Sequence, residues 1–240
     1  MDMNISGSGK IPAGEYDQIK VSGSAEMQGT VRCTRLHVSG SLNADTVICT
    51  GLISTSGGCD FDGDVTAESM HTSGGFNCDG NMTVQNDLRI SGGTNVDGSL
   101  KCGTLEVHGG LNADGEIEAE TVTVRGTMFC KGLLNAEYVD IDTKSGCAIG
   151  SIGGSRITIS YTKRKLFPNL IKVNYNGETV RGVKVLQTIE GDEIDLKYVT
   201  CPCVSGRTVK IGEVCDIDLL QYSESYEIHE KAKVGKIEKI

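Results

Sequence analysis

One six-residue phrase returns along this chain at a nearly fixed interval, and few folds can accommodate that. It reads IKVSGS from Ile19, LHVSGS from Leu36, ISTSGG from Ile53, MHTSGG from Met70, LRISGG from Leu88, LEVHGG from Leu105 and VTVRGT from Val122. Aligned on the first apolar residue and carried on to Val139, the steps are 17, 17, 17, 18, 17, 17 and 17 residues. A period of this kind points to a solenoid, in which each unit buries its apolar face only by stacking on the next.

Each unit subdivides further. The first reads IKVSGS, AEMQGT, VRCTR: three segments, each with two alternating apolar residues followed by a corner. Alternation of period 2 marks a strand with one buried face, and the glycines are expected to supply the backbone angles of a sharp bend. Three short strands and three corners make one triangular turn, and stacked turns pair like strands in parallel at ~4.8 Å. The fold expected is therefore all-β, a triangular parallel β-helix of ~17 residues per turn. Its corner column runs through Gly23, Gly40, Gly57, Gly74, Gly92, Gly109 and Gly126.

Composition narrows the function. Thirty-two glycines, no tryptophan and 5% aromatic residues leave little for a bulky core, yet 38% apolar content is too high for a disordered chain. A net charge of −9 disfavours a nucleic-acid partner, which needs a basic surface. The segment MDMNISGSGKIPAGEYDQ has no basic stretch leading into an apolar run, and nowhere are 18 apolar residues consecutive. A cytoplasmic location is expected, with membrane association left open.

The chemistry-bearing residues have structural roles to fill. Cys33, Cys49, Cys59, Cys78, Cys102 and Cys130 fall on inward positions, where cysteine packs as a small hydrophobe. Cys33 and Cys49 lie on neighbouring rungs, and a reducing compartment keeps them as thiols. His37 and His71 sit two turns apart, ~10 Å, too far to share one zinc ion. Asp45, Asp62, Asp79, Asp97 and Asp114 recur on one outer edge, with Asn43, Asn77, Asn95 and Asn112 two residues earlier. The aspartates read as turn formers, with a calcium ladder as the alternative. No catalytic residue, cofactor motif or metal-ligand set emerges, so no enzyme and no cofactor are expected.

Four regions follow: a Gly/Ser-rich lead-in over 1–18, a regular β-helix over 19–160, an inserted loop or hairpin over 161–192 and a less regular β-helical part over 193–240. The insertion carries Lys163, Arg164, Lys165, Leu166, Phe167 and Leu170, and an Asn-Gly hairpin signal at 176–177. Its basic and apolar residues are candidates for contact with a partner or an anionic membrane surface, or for a loop packed on the coil flank.

The repeated apolar-x-apolar-x-Gly pattern resembles the bactofilins, bacterial polymer-forming cytoskeletal proteins. ISGSG, GEYDQIKVSGS, IEGDEIDL, TVKIG and AKVGKIEKI resemble a subgroup with an extended C-terminal half. The resemblance implies a right-handed β-helix that polymerises end to end without nucleotide and scaffolds cell shape, the envelope or motility. It carries over no catalytic residue. The partner implied is another copy of the chain, alongside the membrane surface or envelope and motility proteins. Physics agrees, because a β-helix ends in open strands and exposed core. Ile5, Ile11, Val234, Ile237 and Ile240 are the candidate end contacts. Two other functions fit the pattern: an acyltransferase of the hexapeptide-repeat type, and a monomeric rod that binds through residues 161–180.

Overall fold

The computed structural model describes residues 1–162, 173–175, 178–180 and 182–240. These form a parallel β-solenoid of about 13 turns with ~17 residues per turn, and no helix occurs among them. The chain divides into two compact units, Met1–Gly115 and Glu116–Ile240.

In the first unit the repeated phrase builds one ladder in near-constant register. Ile19 pairs with Leu36, Leu36 with Ile53, Ile53 with Met70, Met70 with Leu88 and Leu88 with Leu105. The second segment builds another ladder, in which Ala25, Leu42, Cys59, Phe76, Thr94 and Leu111 are successive register partners. A third runs through Val31, Val47, Val65, Met82 and Leu100. Every one of these positions is at most 8% exposed, so three inward columns meet in a single core. The single step of 18 falls where the sequence places it, at Met70↔Leu88.

The corner glycines are required for a different reason from the one expected. None of Gly23, Gly40, Gly57, Gly74, Gly92 and Gly109 has a positive φ. A Cβ on Gly57 would instead lie 1.7 Å from the carbonyl oxygen of Gly40, and one on Gly40 would lie 1.9 Å from that of Gly23. The rungs approach so closely at this corner that backbone packs on backbone.

Residues 1–18, expected as a lead-in, are themselves a rung. Met3–Ile5 pairs with residues 19–21, Ser8–Ile11 with 24–27, and Gly14–Glu15 with 31–32, all in parallel. The apolar alternation was disguised because Gly9 holds the inward position that Ala25 holds one rung on. The Ile5 Cδ1 methyl fills that space, 2.8 Å from where a Gly9 Cβ would stand.

In the second unit the phrase strands over 121–124, 138–141, 156–159, 193–196, 208–211 and 225–228 form one ladder. Between the third and fourth of them the chain makes its excursion. Val173–Tyr175 and Glu178–Val180 pair antiparallel, while residues 176–177, which carry the Asn-Gly signal, lie outside the described residues. Parallel pairing resumes at Val183, which partners Cys147, ahead of residue 193 where the sequence suggested it. Lys163, Arg164, Lys165, Leu166, Phe167 and Leu170 lie outside the described residues.

Positive φ does occur at a corner of this unit. Gly182 (φ 81°), Tyr198 (φ 59°) and Val214 (φ 57°) each precede a strand of the second ladder. A β-branched residue in the left-handed region costs about 1–3 kcal/mol, and Val214 is 50% exposed, so its side chain recovers little by burial. Val214→Gly is expected to stabilise the protein by about 1 kcal/mol once the flexibility of glycine is deducted. Thermal unfolding should then shift upward by about 2–4 °C.

Candidate functional site

The flanks of the coil are built for cohesion. On the second ladder, Asn77 Nδ2 donates to Asp60 Oδ1 (2.5 Å), Asn95 Nδ2 to Asn77 Oδ1 (2.6 Å) and Asn112 Nδ2 to Asn95 Oδ1 (2.6 Å). Asp60, absent from the column expected from sequence, is the acceptor at its end and the register partner of Asn43. The recurrent aspartates behave as corner residues. The backbone N–H groups of Asp62, Asp79, Asp97 and Asp114 each donate 2.9 Å bonds to the rung before, and Asp45 Oδ2 accepts from the Gly29 N–H. Among the described residues no three His, Cys, Asp or Glu side chains stand close enough to hold a metal ion.

Across the second unit charges alternate from rung to rung. Arg156 Nε lies 2.8 Å from Glu193, and Arg207 bridges Glu193 (3.9 Å) and Glu224 (3.3 Å). These exposed pairs contribute little singly. Of these, Arg156 and Glu193 are register partners, whereas Arg207 reaches its carboxylates from a position where the register shifts.

The thiols are core filler. All ten cysteines are free and nine are buried. Burial pushes the thiols of Cys59, Cys102 and Cys201 up to about 12, and those of Cys78, Cys130 and Cys147 up to about 11. A group that stays protonated is a poor nucleophile. Cys33 and Cys49 are register partners. Their mutual hydrogen bond raises Cys33 and lowers Cys49. His37 is exposed and hydrogen-bonds with Ser39 (3.1 Å), while Nδ1 of the exposed His229 accepts from the Lys231 N–H (3.1 Å).

The two terminal rungs are where the apolar interior meets solvent. At the first, Met3 and Ile5 are half-buried, whereas Ile11 is fully buried and offers no contact surface. Tyr16, 9% exposed, ties its hydroxyl to the Pro12 carbonyl at 2.9 Å. The strand Met3–Ile5 pairs with residues 19–21 and with no other strand among the described residues.

The last rung is more open. Lys233–Lys239 pairs with residues 216–222, leaving Val234 half-buried, Ile237 41% exposed and Ile240 64% exposed. Residues 225–228 are the last phrase strand. They pair with 208–211 and with no other strand among the described residues, leaving Tyr226 40% exposed and Ile228 half-buried. In earlier rungs the equivalents of Tyr226 are core residues: Ile194 and Val209 are at most 2% exposed. Of the candidates named from sequence, Val234 is half-buried and Ile237 and Ile240 are exposed; Tyr226, Ile228 and Met3, also exposed or half-buried, were not singled out, because nothing in a repeat distinguishes one copy from another. An open cleft beside this edge, lined by Lys197, Lys210, Glu213, Glu227 and His229, mixes both charges. Lys210 and Glu227 form an ion pair across it (3.7 Å).

No protein-family model, no curated protein and no solved structure matches this chain.

Proposed function

We propose that this chain is a non-enzymatic structural protein that assembles end to end into nucleotide-independent polymers, as the bactofilins that its repeat resembles do. The observation that carries this reading is the apolar exposure of Tyr226 and Ile237, whose register partners Val209 and Leu220 are buried. Stacking another rung over these residues buries their side chains, which drives association without an energy source. The role suits a cytoplasmic scaffold, with the basic and apolar run at 163–170 as the place for a membrane or envelope partner.

Negative-stain electron microscopy and sedimentation of the purified chain, without nucleotide or metal, test the proposal. Filaments or concentration-dependent growth are expected. A species that stays at 25.5 kDa at high concentration overturns it. Burying one isoleucine contributes about 1.5–3 kcal/mol, so Ile237→Asp should weaken association by at least about tenfold. Sedimentation velocity across a dilution series reads that change.

A further inference from the structure

We propose that Cys33 and Cys49 are a redox clasp: a hydroperoxide converts the pair to a disulfide that ties two adjacent rungs of the first unit, whether or not copies of the chain polymerise.

The repeat places the pair. Val31, Arg32 and Cys33 are the register partners of Val47, Ile48 and Cys49 in neighbouring parallel strands. Such strands lie ~4.8 Å apart, inside the Cα separation of about 4.4–6.8 Å that a disulfide spans. Both side chains are inward, 3% and 2% exposed, so they leave their strands on the same side. Other cysteines face different residue types: Cys59 has Leu42 and Phe76 as partners, Cys78 has Phe61 and Val96, and Cys147 has Val183. Ala67, also inward, follows Thr66, the partner of Ile48. The small side chain next in the column leaves the Cys49 sulfur room to turn toward Cys33.

The two sulfurs are not equivalent. The hydrogen bond from the Cys33 thiol lowers Cys49 against the burial that raises it, and the N–H groups of Gly51 and Leu36 and the charge of Arg35 also favour its thiolate. The same bond, together with burial, raises Cys33. Cys49 is therefore the attacking thiolate and Cys33 the resolving thiol. Each lies next to an exposed corner, Thr34 and Arg35 after the first and Thr50 after the second. The pair thus sits at the margin of the core, and hydrogen peroxide is scarcely larger than a water molecule.

The chemistry closes with one oxidant. The Cys49 thiolate attacks a peroxide oxygen and the O–O bond breaks. Cys49 becomes a sulfenic acid, and the departing hydroxide takes up the proton the thiol had released, giving water. The Cys33 sulfur then attacks the Cys49 sulfur, the S–O bond breaks, and the second hydroxide leaves as water with the Cys33 proton. Two electrons pass from the sulfurs to the peroxide. A thiol reductant reverses the product by exchange.

The test uses hydrogen peroxide on the full folded chain, with circular dichroism confirming that it stays folded. After quenching, the protein is unfolded, free thiols are alkylated, and peptides are mapped by mass spectrometry without reductant. At a dose that leaves the buried Cys59 and Cys78 as thiols, a peptide cross-linked through Cys33 and Cys49 is expected. Dithiothreitol should return both as free thiols. Cys33→Ser, which keeps a hydrogen-bond donor, should stop Cys49 at the sulfenic acid, trapped by dimedone, whereas Cys49→Ser should leave Cys33 unreacted. The wild-type map decides the matter even if a variant fails to fold. Cys33 and Cys49 that stay reduced until Cys59 and Cys78 also react overturn the clasp. So does a Cys49 that advances to the sulfinic acid with no cross-link to Cys33.

Discussion

Gly57→Ala is expected to destabilise the protein by about 3 kcal/mol, the upper end of what overpacking a well-filled site costs, while Gly58→Ala next to it is expected to be slightly stabilising. The two glycines share a corner and differ only in what a methyl group would meet. At Gly57 the new Cβ would stand 1.7 Å from the Gly40 oxygen and 2.7 Å from its carbonyl carbon. Those atoms are backbone, fixed by the ladder on either side, so relief requires the rungs to separate. At Gly58 nothing lies within 4 Å of the added carbon. Neither residue has a positive φ, so conformational strain adds nothing at either position. Removing backbone freedom from the unfolded chain favours the Gly58 variant by about 0.4–1 kcal/mol. For a domain of this size, about 3 kcal/mol corresponds to a fall of about 6–12 °C in the unfolding midpoint. Scanning calorimetry of the two variants beside the wild type reads the contrast. Equal effects from both substitutions would show that the corner is not held by backbone contact.

That contrast also shows how the sequence was legible. The double glycines at 57–58, 74–75, 92–93 and 109–110 look alike as letters. Only the stacked geometry separates the first of each pair, pressed on the rung below, from the second, which is open outward. The period itself was readable because one residue of slip turns every inward side chain outward, so the 17-residue spacing fixes the register almost alone. The inward cysteines were readable for the same reason. Asp45, Asp62, Asp79, Asp97 and Asp114 were readable as corners because the turn needs their backbone in that place.

What escaped the sequence lies where one rung departs from the consensus. Gly9 stands in for an inward side chain, and Pro12 and Gly14 interrupt the alternation, so residues 1–18 do not look like a rung. In the second unit Ile194 pairs with Val209, only 15 residues on, and Val209 with Tyr226, 17 on. Tyr198 and Val214 there occupy a left-handed corner whose residue types give no hint of it. The end rungs are hidden more deeply. Tyr226 and Ile228 have the same alternating spacing as buried pairs such as Ile194 and Leu196, and exposure is set by the neighbouring rung, not by their own letters.

Phe61→Ala and Phe76→Ala are each expected to cost about 3–5 kcal/mol, and the double variant less than their sum. The two rings are at most 1% exposed and stack with centroids 4.9 Å apart at an interplanar angle of 27°. They lie on successive strands of one ladder but not at the same position. Phe76 is the register partner of Cys59, and Phe61 of Cys78 and Ala44. Each large ring therefore sits above or below a small side chain, and the core of a chain with so few aromatics is filled by offsetting them. Truncating one ring opens a cavity that Cys59 or Cys78 is too short to fill, and the other ring loses its stacking partner, worth about 0.5–1.5 kcal/mol beyond area. The second truncation no longer removes that contact, which is why the costs should not add. Denaturant titrations of the wild type, both single variants and the double variant close the cycle. A coupling of about 0.5–1.5 kcal/mol locates the pair as one packing unit, whereas strict additivity would mean the rings contribute only through separate burial.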